Sequence, residues 1–425
     1  MGSEGEGGGF AAAFPLATLP PPPARALPPE GPAIAGGGGS RGWGWRDRMR
    51  RARLALSISR PLSADVTRML MTDIPSSMRA AVTRDWNEIH VEQVPVPDLE
   101  EGEVLVRVGA CGICGTDLKI AAGVYEGSWP PALPFIQGHE WSGTVAGLGE
   151  GVSGLAIGDR VAAENHKGCG TCVNCRRGRY NLCEVARARG KAYKLYGHTA
   201  QGAFAEYAAR PAGLLHKLPG QVSFEEGTIV NQGALGLHAI RRCRVEPGDT
   251  VAVIGPGLIG LICVQLAKAT GATRVIVAGR GARLDLAREL GADETIDISS
   301  ADTVATVREM TEGRGADCAF ECAGAPAAVV AAINCVKRGG RVALVGLTGH
   351  KMVELDMDRL TLDEIDVYGV RSSPNAYPEL INLIGAGKIN VRRLVSRVYP
   401  LEEINAAFEA FRKREDGAIR MVIKI

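Results

Sequence analysis

The sequence has almost no net charge, no long apolar run and no secretory opening, and each absence narrows what it can be. Its 49 Lys and Arg against 47 Asp and Glu leave a formal charge of +2 over 425 residues. No overall field therefore draws the chain to nucleic acid or to an anionic membrane. The longest apolar run, Val251 to Val264, is broken by glycines and falls short of the ~20 residues that a spanning helix needs. No hydrophobic core follows a basic start, so no secretory signal is read, and the expected location is cytoplasmic. The 11 cysteines are too dilute for a small disulfide scaffold. Four of them crowd between Cys169 and Cys183, which points to metal in a reducing compartment. What is present is ample apolar content, 46%, in a chain long enough for two or three domains of ~150 residues.

Residues 1–77 differ from the rest. They carry Gly36 to Gly39 and Pro20 to Pro23 with almost no periodic apolar pattern, a composition that cannot offset its ordering entropy. Disorder is expected there. Arg41 to Arg60 holds seven arginines and one acid, Asp47, which suits a transit segment. Glu4, Glu6 and the Gly/Pro tracts instead suit a start assigned too early, with translation beginning at Met78. Function is sought after that methionine.

From Arg79 the texture changes. Ala80 to Thr83, His90 to Val94 and Glu103 to Val108 are short apolar or alternating runs broken by Pro95, Pro97 and Gly102, a pattern of strands in a β-rich domain. Gly143 to Ala146, Asp159 to Ala163 and Ala203 to Ala208 read the same way. Cys169, Cys172, Cys175 and Cys183 follow C-x2-C-x2-C-x7-C, whose short gaps turn successive thiolates toward one ion. A closed four-thiolate shell has no open position, so this zinc is structural. Cys111-Gly-Ile-Cys114-Gly-Thr-Asp117, followed by Gly138-His139-Glu140, offers a looser set: a cysteine, a histidine and an acid bind zinc and leave one position free.

The second half has another rhythm. Thr250 to Ile254 is a β-branched run feeding Gly255-Pro-Gly257-Leu258-Ile259-Gly260 and then a helix-like stretch, which is G-x-G-x-x-G in its strand–turn–helix context. The first glycine makes the turn, the second admits the pyrophosphate, and the third packs helix on strand. Strand-like runs at Arg274 to Gly279, Glu294 to Ile298, Asp317 to Cys322, Arg341 to Leu347 and Asp366 to Arg371 alternate with helical stretches, which predicts a doubly wound parallel sheet. At the end of the second strand an acid would hold the ribose hydroxyls of NAD. This chain has Ala278-Gly279-Arg280, so NADP is favoured slightly, unless Arg280 is only a solvated surface charge.

Together these motifs resemble the zinc-dependent medium-chain dehydrogenases/reductases of the alcohol dehydrogenase superfamily, nearest in texture to the sorbitol and threonine dehydrogenase branch. Gly138-His-Glu-x2-Gly143-x5-Gly149-x2-Val152 follows the family's zinc pattern, and the four-cysteine lobe matches its structural zinc. The resemblance implies an α/β protein with three parts after residue 77. These are a GroES-like catalytic domain over 78–232, a Rossmann domain over 233–373, and a return segment over 374–425 that completes the first. It further implies that Cys114 and His139 bind a catalytic zinc with Glu140 as third or exchangeable ligand, and that Thr116 lies beside the substrate oxygen. Asp117 would orient the zinc histidine. Zinc would favour the alkoxide of a bound alcohol while its hydride passes to the nicotinamide.

Two positions depart from the family. Lys119 stands where a histidine often relays the proton, and an unperturbed lysine relays poorly at neutral pH. It grips a substrate hydroxyl, carboxylate or phosphate, or lies solvated. Asn231 replaces an acid or cysteine near the metal and is a poor zinc ligand, so Glu140 gains weight. Cys111, Cys243, Cys263, Cys318, Cys322 and Cys335 read as core-sized residues, and His198 and His238 as structural. The expected activity is oxidation of a secondary alcohol, a polyol, sugar alcohol or hydroxy amino acid, with NADP or NAD. A carbonyl reductase using the same site in reverse and a non-catalytic nucleotide-binding relative are the alternatives. The expected partners are a small alcohol or ketone and further copies of the chain, as a homodimer or homotetramer.

Overall fold

The computed structural model describes residues 74–189 and 193–425. The expectations for residues 1–73 lie outside the described residues.

Two large sheets share the chain. The first is seven-stranded and mixed, from β3 (Glu103–Gly112), β5 (Trp141–Leu148), β6 (Arg160–Ala163), β7 (Tyr207–Pro211), β8 (Leu215–Lys217), β15 (Val395–Pro400) and β16 (Arg420–Lys424). β3 is its spine, pairing antiparallel with β5, β7 and β16. That is why Val104, Leu105, Val106 and Val108 are all buried: both faces of this strand are covered, so its apolar residues run instead of alternating. A small antiparallel sheet, β1 (Ser77–Asp85), β2 (Glu88–Pro95) and β4 (Phe135–Ile136), flanks it.

The second sheet is six-stranded and wholly parallel: β9 (Thr250–Ile254), β10 (Arg274–Gly279), β11 (Glu294–Asp297), β12 (Ala316–Glu321), β13 (Val336–Leu344) and β14 (Asp366–Gly369). Its order is β11-β10-β9-β12-β13-β14, so the chain reverses direction across the sheet between β9 and β12. Ligands bind at such a reversal, beyond the carboxyl ends of the strands.

Four helices place the chemistry: α1 (Gly115–Ala121), α2 (Val230–Cys243), α3 (Leu258–Thr270) and α4 (Ile404–Lys413). After β14 the chain first stays with the parallel sheet, where Leu380 of the helix Tyr377–Gly385 packs in the core around α2 and α3. It then crosses back. Phe408 of α4 and Met421 and Ile423 of β16 are buried in the core of the seven-stranded sheet.

One strand expectation needs correcting. Ala203 to Ala208 is not one continuous strand: Ala205 makes an isolated antiparallel bridge to Ala80, and the strand paired with β3 starts at Tyr207. Ala203 and Phe204 donate instead to the Gln137 carbonyl, and Phe204 returns a carbonyl to Ala81, so this run crosses the edge of the small sheet. Its apolar character reflects burial where it passes from the small sheet to the large one.

Candidate active site and metal centres

The buried centre starts from local structure. β3 ends at Gly112, and Cys114 caps α1, its backbone N–H donating to Asp117 Oδ2 at 2.8 Å. Across β3, Gly138 has φ of +95°, and a Cβ there would meet Cys111 Sγ at 2.8 Å and the Phe204 nitrogen at 2.9 Å. Only glycine fits that bend, and it delivers His139 and Glu140 beside Cys114. Cys111 is the wall behind the bend.

Ligand atoms of Cys114, His139 and Glu140 all lie within 4.8 Å of one another. His139 Nε2 is 3.4 Å from Glu140 Oε1, and its Nδ1 is 3.4 Å from Asp117 Oδ1. His139, Glu140 and Asp117 are buried. Burial would lower the His139 pKa, but Asp117, Cys114 and Glu140 carry it well above the usual value. Burial raises the Glu140 carboxyl, and the buried Arg420 guanidinium, with His139 and Gln232, more than reverses this and holds it at about 2. Arg420 also donates to the carbonyls of Ile113 and Thr228, at 3.1 and 2.7 Å, so it ties β16 to the chain on either side of the site.

These residues fit zinc. Thiolate, imidazole and carboxylate are its ordinary donors. Asp117 Oδ1 and His139 Nδ1 face each other at 3.4 Å and Arg420 holds Glu140 Oε2, while Gln232 Oε1, next to the trio, is buried without a hydrogen-bond partner. A divalent cation would pair with the Cys114 thiolate and the Glu140 carboxylate and displace any proton from His139 Nε2.

Around the trio, Thr116 Oγ1 is 3.8 Å from Cys114 Sγ, and Lys119 lies one helical turn further on, exposed. Asn231 does not point at the ligand atoms. Its Nδ2 donates to the His139 carbonyl at 3.2 Å, so it anchors the start of α2 to the ligand loop. Its neighbour Gln232 is the residue that reaches in: Nε2 sits 3.7 Å from Cys114 Sγ and donates to Glu140 Oε1. His198 is buried with its ring 4.4 Å from that of His139 and 5.0 Å from Trp129.

The four-cysteine lobe is built differently. Its four sulfur atoms lie within 4.8 Å of each other. Backbone N–H groups converge on them: Cys172 and Thr171 on Cys169 Sγ at 3.3 and 3.4 Å, Cys169 and Ala186 on Cys183 Sγ at 3.4 Å each. The Thr171 hydroxyl and those backbone donors bring the Cys169 thiol down to about 5. Burial and the neighbouring sulfurs push Cys175 up to about 12. Asn181 Nδ2 donates to the Arg371 carbonyl at 2.7 Å, and Asn375 Nδ2 to the Gly178 carbonyl at 2.8 Å, docking the lobe on the segment that follows β14.

At the β9–α3 turn, Gly255 has φ of +102°, and a Cβ on Gly260 would meet the Gly255 carbonyl at 2.1 Å. A Cβ on Gly257 would meet nothing within 4 Å, which leaves room for a pyrophosphate at the N-terminus of α3. A cavity of ≈ 770 Å³ opens there, lined by Gly255, Gly257, Arg280, Arg283, Cys322 and Arg414 among others. Leu258 and Ile259, in the first turn of α3, pack against the core instead. Arg283 and Arg414 escape a linear reading. Arg283 donates to the Gly417 and Ala418 carbonyls, and Arg414 comes from the end of α4, far along the chain.

No described helix is long and apolar enough to cross a membrane. Residues 100–220 match the alcohol dehydrogenase GroES-like domain, and residues 259–386 the zinc-binding dehydrogenase domain. A sorbitol dehydrogenase of Bacillus subtilis (strain 168) is 36% identical over 351 residues, covering 82% of this chain and 98% of its own. A zinc-binding dehydrogenase of Sinorhizobium meliloti 1021, solved with NADP, superposes with a TM-score of 0.75 at 31% identity, covering 83% of this chain and 100% of that one. An alcohol dehydrogenase of Escherichia coli CFT073, solved with NADH, gives 0.76 at 27% identity over the same shares, 83% and 100%. With two zinc-competent clusters and a dinucleotide turn on this fold, the chain belongs to the zinc-binding medium-chain dehydrogenases/reductases, in the sorbitol-dehydrogenase-like branch, and is a zinc- and NAD(P)-dependent oxidoreductase acting on an alcohol.

Proposed function

We propose that the chain oxidises a secondary alcohol of the polyol, sugar-alcohol or hydroxy-amino-acid class, with NADP preferred to NAD. The observation that carries this is the buried Cys114–His139–Glu140 cluster, whose ligand atoms gather within 4.8 Å. These three residues would hold the catalytic zinc, and Cys169, Cys172, Cys175 and Cys183 the structural one. When bound, the catalytic zinc supplies a Lewis acid at neutral pH. Asp117, through Nδ1, turns His139 Nε2 toward the metal position. The Thr116 hydroxyl, beside Cys114 and partly exposed, would relay the alcohol's proton, taking it on its oxygen while releasing its own hydrogen toward solvent. Lys119, exposed one turn beyond Thr116, binds a polar substituent of the substrate.

Gly255, Gly257, Leu258, Ile259 and Gly260 form the pyrophosphate turn, and Arg280 pairs with the 2′-phosphate. Arg283 and Arg414 line the same cavity, which adds positive charge there, and no acid ends β10. The proposed catalytic domain, 78–232, is completed by 374–425 around a cofactor domain of 233–373, with the helix Tyr377–Gly385 at the junction. The protein works in the cytoplasm as a homodimer or homotetramer. β14 pairs only with β13 among the described residues, and Leu347, Met352, Met357 and Leu362 are exposed in the segments that precede it.

Steady-state rates on a panel of polyols, simple alcohols and hydroxy amino acids, each with NAD⁺ and NADP⁺, test this reading. One substrate class should turn over, and faster with NADP⁺. Arg280→Ala should cost about tenfold or more in kcat/KM for NADP⁺ and little for NAD⁺, as loss of a charged hydrogen bond implies. An unchanged cofactor ratio in that variant would sink the role of Arg280.

A further inference from the structure

The sequence points to Asn231 as the odd residue at the metal, yet the side chain that enters the ligand cluster is Gln232. Its amide group touches two members of the trio, 3.7 Å from Cys114 Sγ and bonded to Glu140 Oε1. Its other end, Oε1, is buried without a hydrogen-bond partner. Asn231 fixes this placement by its bond to the His139 carbonyl, because it sets the first turn of α2 against the ligand loop.

A cation among Cys114 Sγ, His139 Nε2 and Glu140 Oε1 repels the –NH2 end of that amide and attracts its carbonyl end. The two ends have nearly the same shape, so a half-turn of the amide exchanges them at little steric cost. The exchange removes the buried acceptor that has no donor and directs an oxygen at the metal position. It also releases Glu140 Oε1 from the amide, while Arg420 keeps the other carboxylate oxygen.

On the reading that Cys114, His139 and Glu140 hold the catalytic zinc, we infer that the Gln232 side-chain oxygen is the fourth donor to that zinc in the substrate-free enzyme. A neutral amide is the weakest donor of the four, and so the one that yields to substrate. Zinc accepts oxygen donors beside nitrogen and sulfur.

The test is spectroscopic, on full-length protein carrying zinc in the cysteine lobe and Co²⁺ in the buried site. Gln232→Leu should shift the visible cobalt bands and weaken zinc at that site about tenfold in chelator competition, the scale on which metal-site neighbours act. Gln232→Glu keeps the shape and should bind zinc more tightly than the parent, with bands displaced again. Retention of lobe zinc in both variants reports folding. If Gln232→Leu and Gln232→Glu both match the parent in spectrum and affinity, the assignment of Gln232 is wrong. If the parent spectrum instead matches that of Cys114→Ala, the buried site itself is misplaced and the inference goes with it.

Discussion

The two zinc centres solve one problem, holding a divalent cation, by opposite means. In the lobe, four sulfurs lie within 15 consecutive residues and are braced by backbone N–H groups of the same segment. In the buried site the proposed ligands come from two loops, after β3 and before β5, and side chains brace them: Asp117 behind His139, Arg420 and Gln232 on Glu140. The lobe's support is written locally. The active site's support exists only after the sheets have formed, so it carries most of the long-range cost and most of the sensitivity to substitution.

That contrast can be broken first at the ligands. Cys114→Ala should leave the fold and the lobe zinc in place and lower turnover about a thousandfold or more, as loss of several kcal/mol of charge stabilisation implies. Cys172→Ser should do the reverse, releasing the lobe zinc and lowering the thermal midpoint. Zinc counting, calorimetry and kinetics on both variants check the pair. Equal losses of activity and stability in the two would erase the distinction.

The next effect sits at Arg420. Arg420→Met leaves the buried Glu140 carboxylate without its guanidinium, which should cost about 3 kcal/mol in urea unfolding of the metal-free protein. In a Glu140→Gln background the same change should cost much less. Additive losses in that cycle would show that the two side chains do not depend on each other.

The smallest effect is in pH. Glu140 is held at about 2, well below its unfolded value of 4.5. A carboxyl lowered on folding adds stability that is complete above its unfolded pKa and is lost as pH falls through the folded one. By pH 4 the parent should have lost about 1 kcal/mol relative to Glu140→Gln. Stepped-pH denaturation of both metal-free proteins measures it, and parallel curves would mean that Arg420 does not govern this carboxyl.

How much of this was legible follows the same line. The cysteine lobe, the glycine turn and the Gly138-His139-Glu140 motif are written in consecutive residues, where spacing itself is the geometry. Arg274–Gly279 is a strand over the very span the sequence suggests, because a run buried on both faces has sharp polar ends. Ala203 to Ala208 misleads because its burial comes from tertiary contact with Gln137 and Ala81. Gln232 was one position from the residue singled out: the helical turn at Val230 rotates Asn231 onto the backbone and its neighbour into the cluster. Arg420, Arg283 and Arg414 carry no local signal, since their partners are set by topology alone.

The place of Arg420 has a consequence for biosynthesis. Glu140 leaves the ribosome early, whereas its guanidinium partner is translated after more than half of the chain has followed, tens of seconds later at ordinary rates. Throughout that interval β3 lacks β16 on one edge, and the carboxylate has no counter-charge. The parallel sheet, encoded between them, is complete before the active site can be. Chain order thus puts the glycine turn and its sheet ahead of the finished zinc site, while the cofactor cavity, which Arg414 and Gly417 also line, closes with the same last residues.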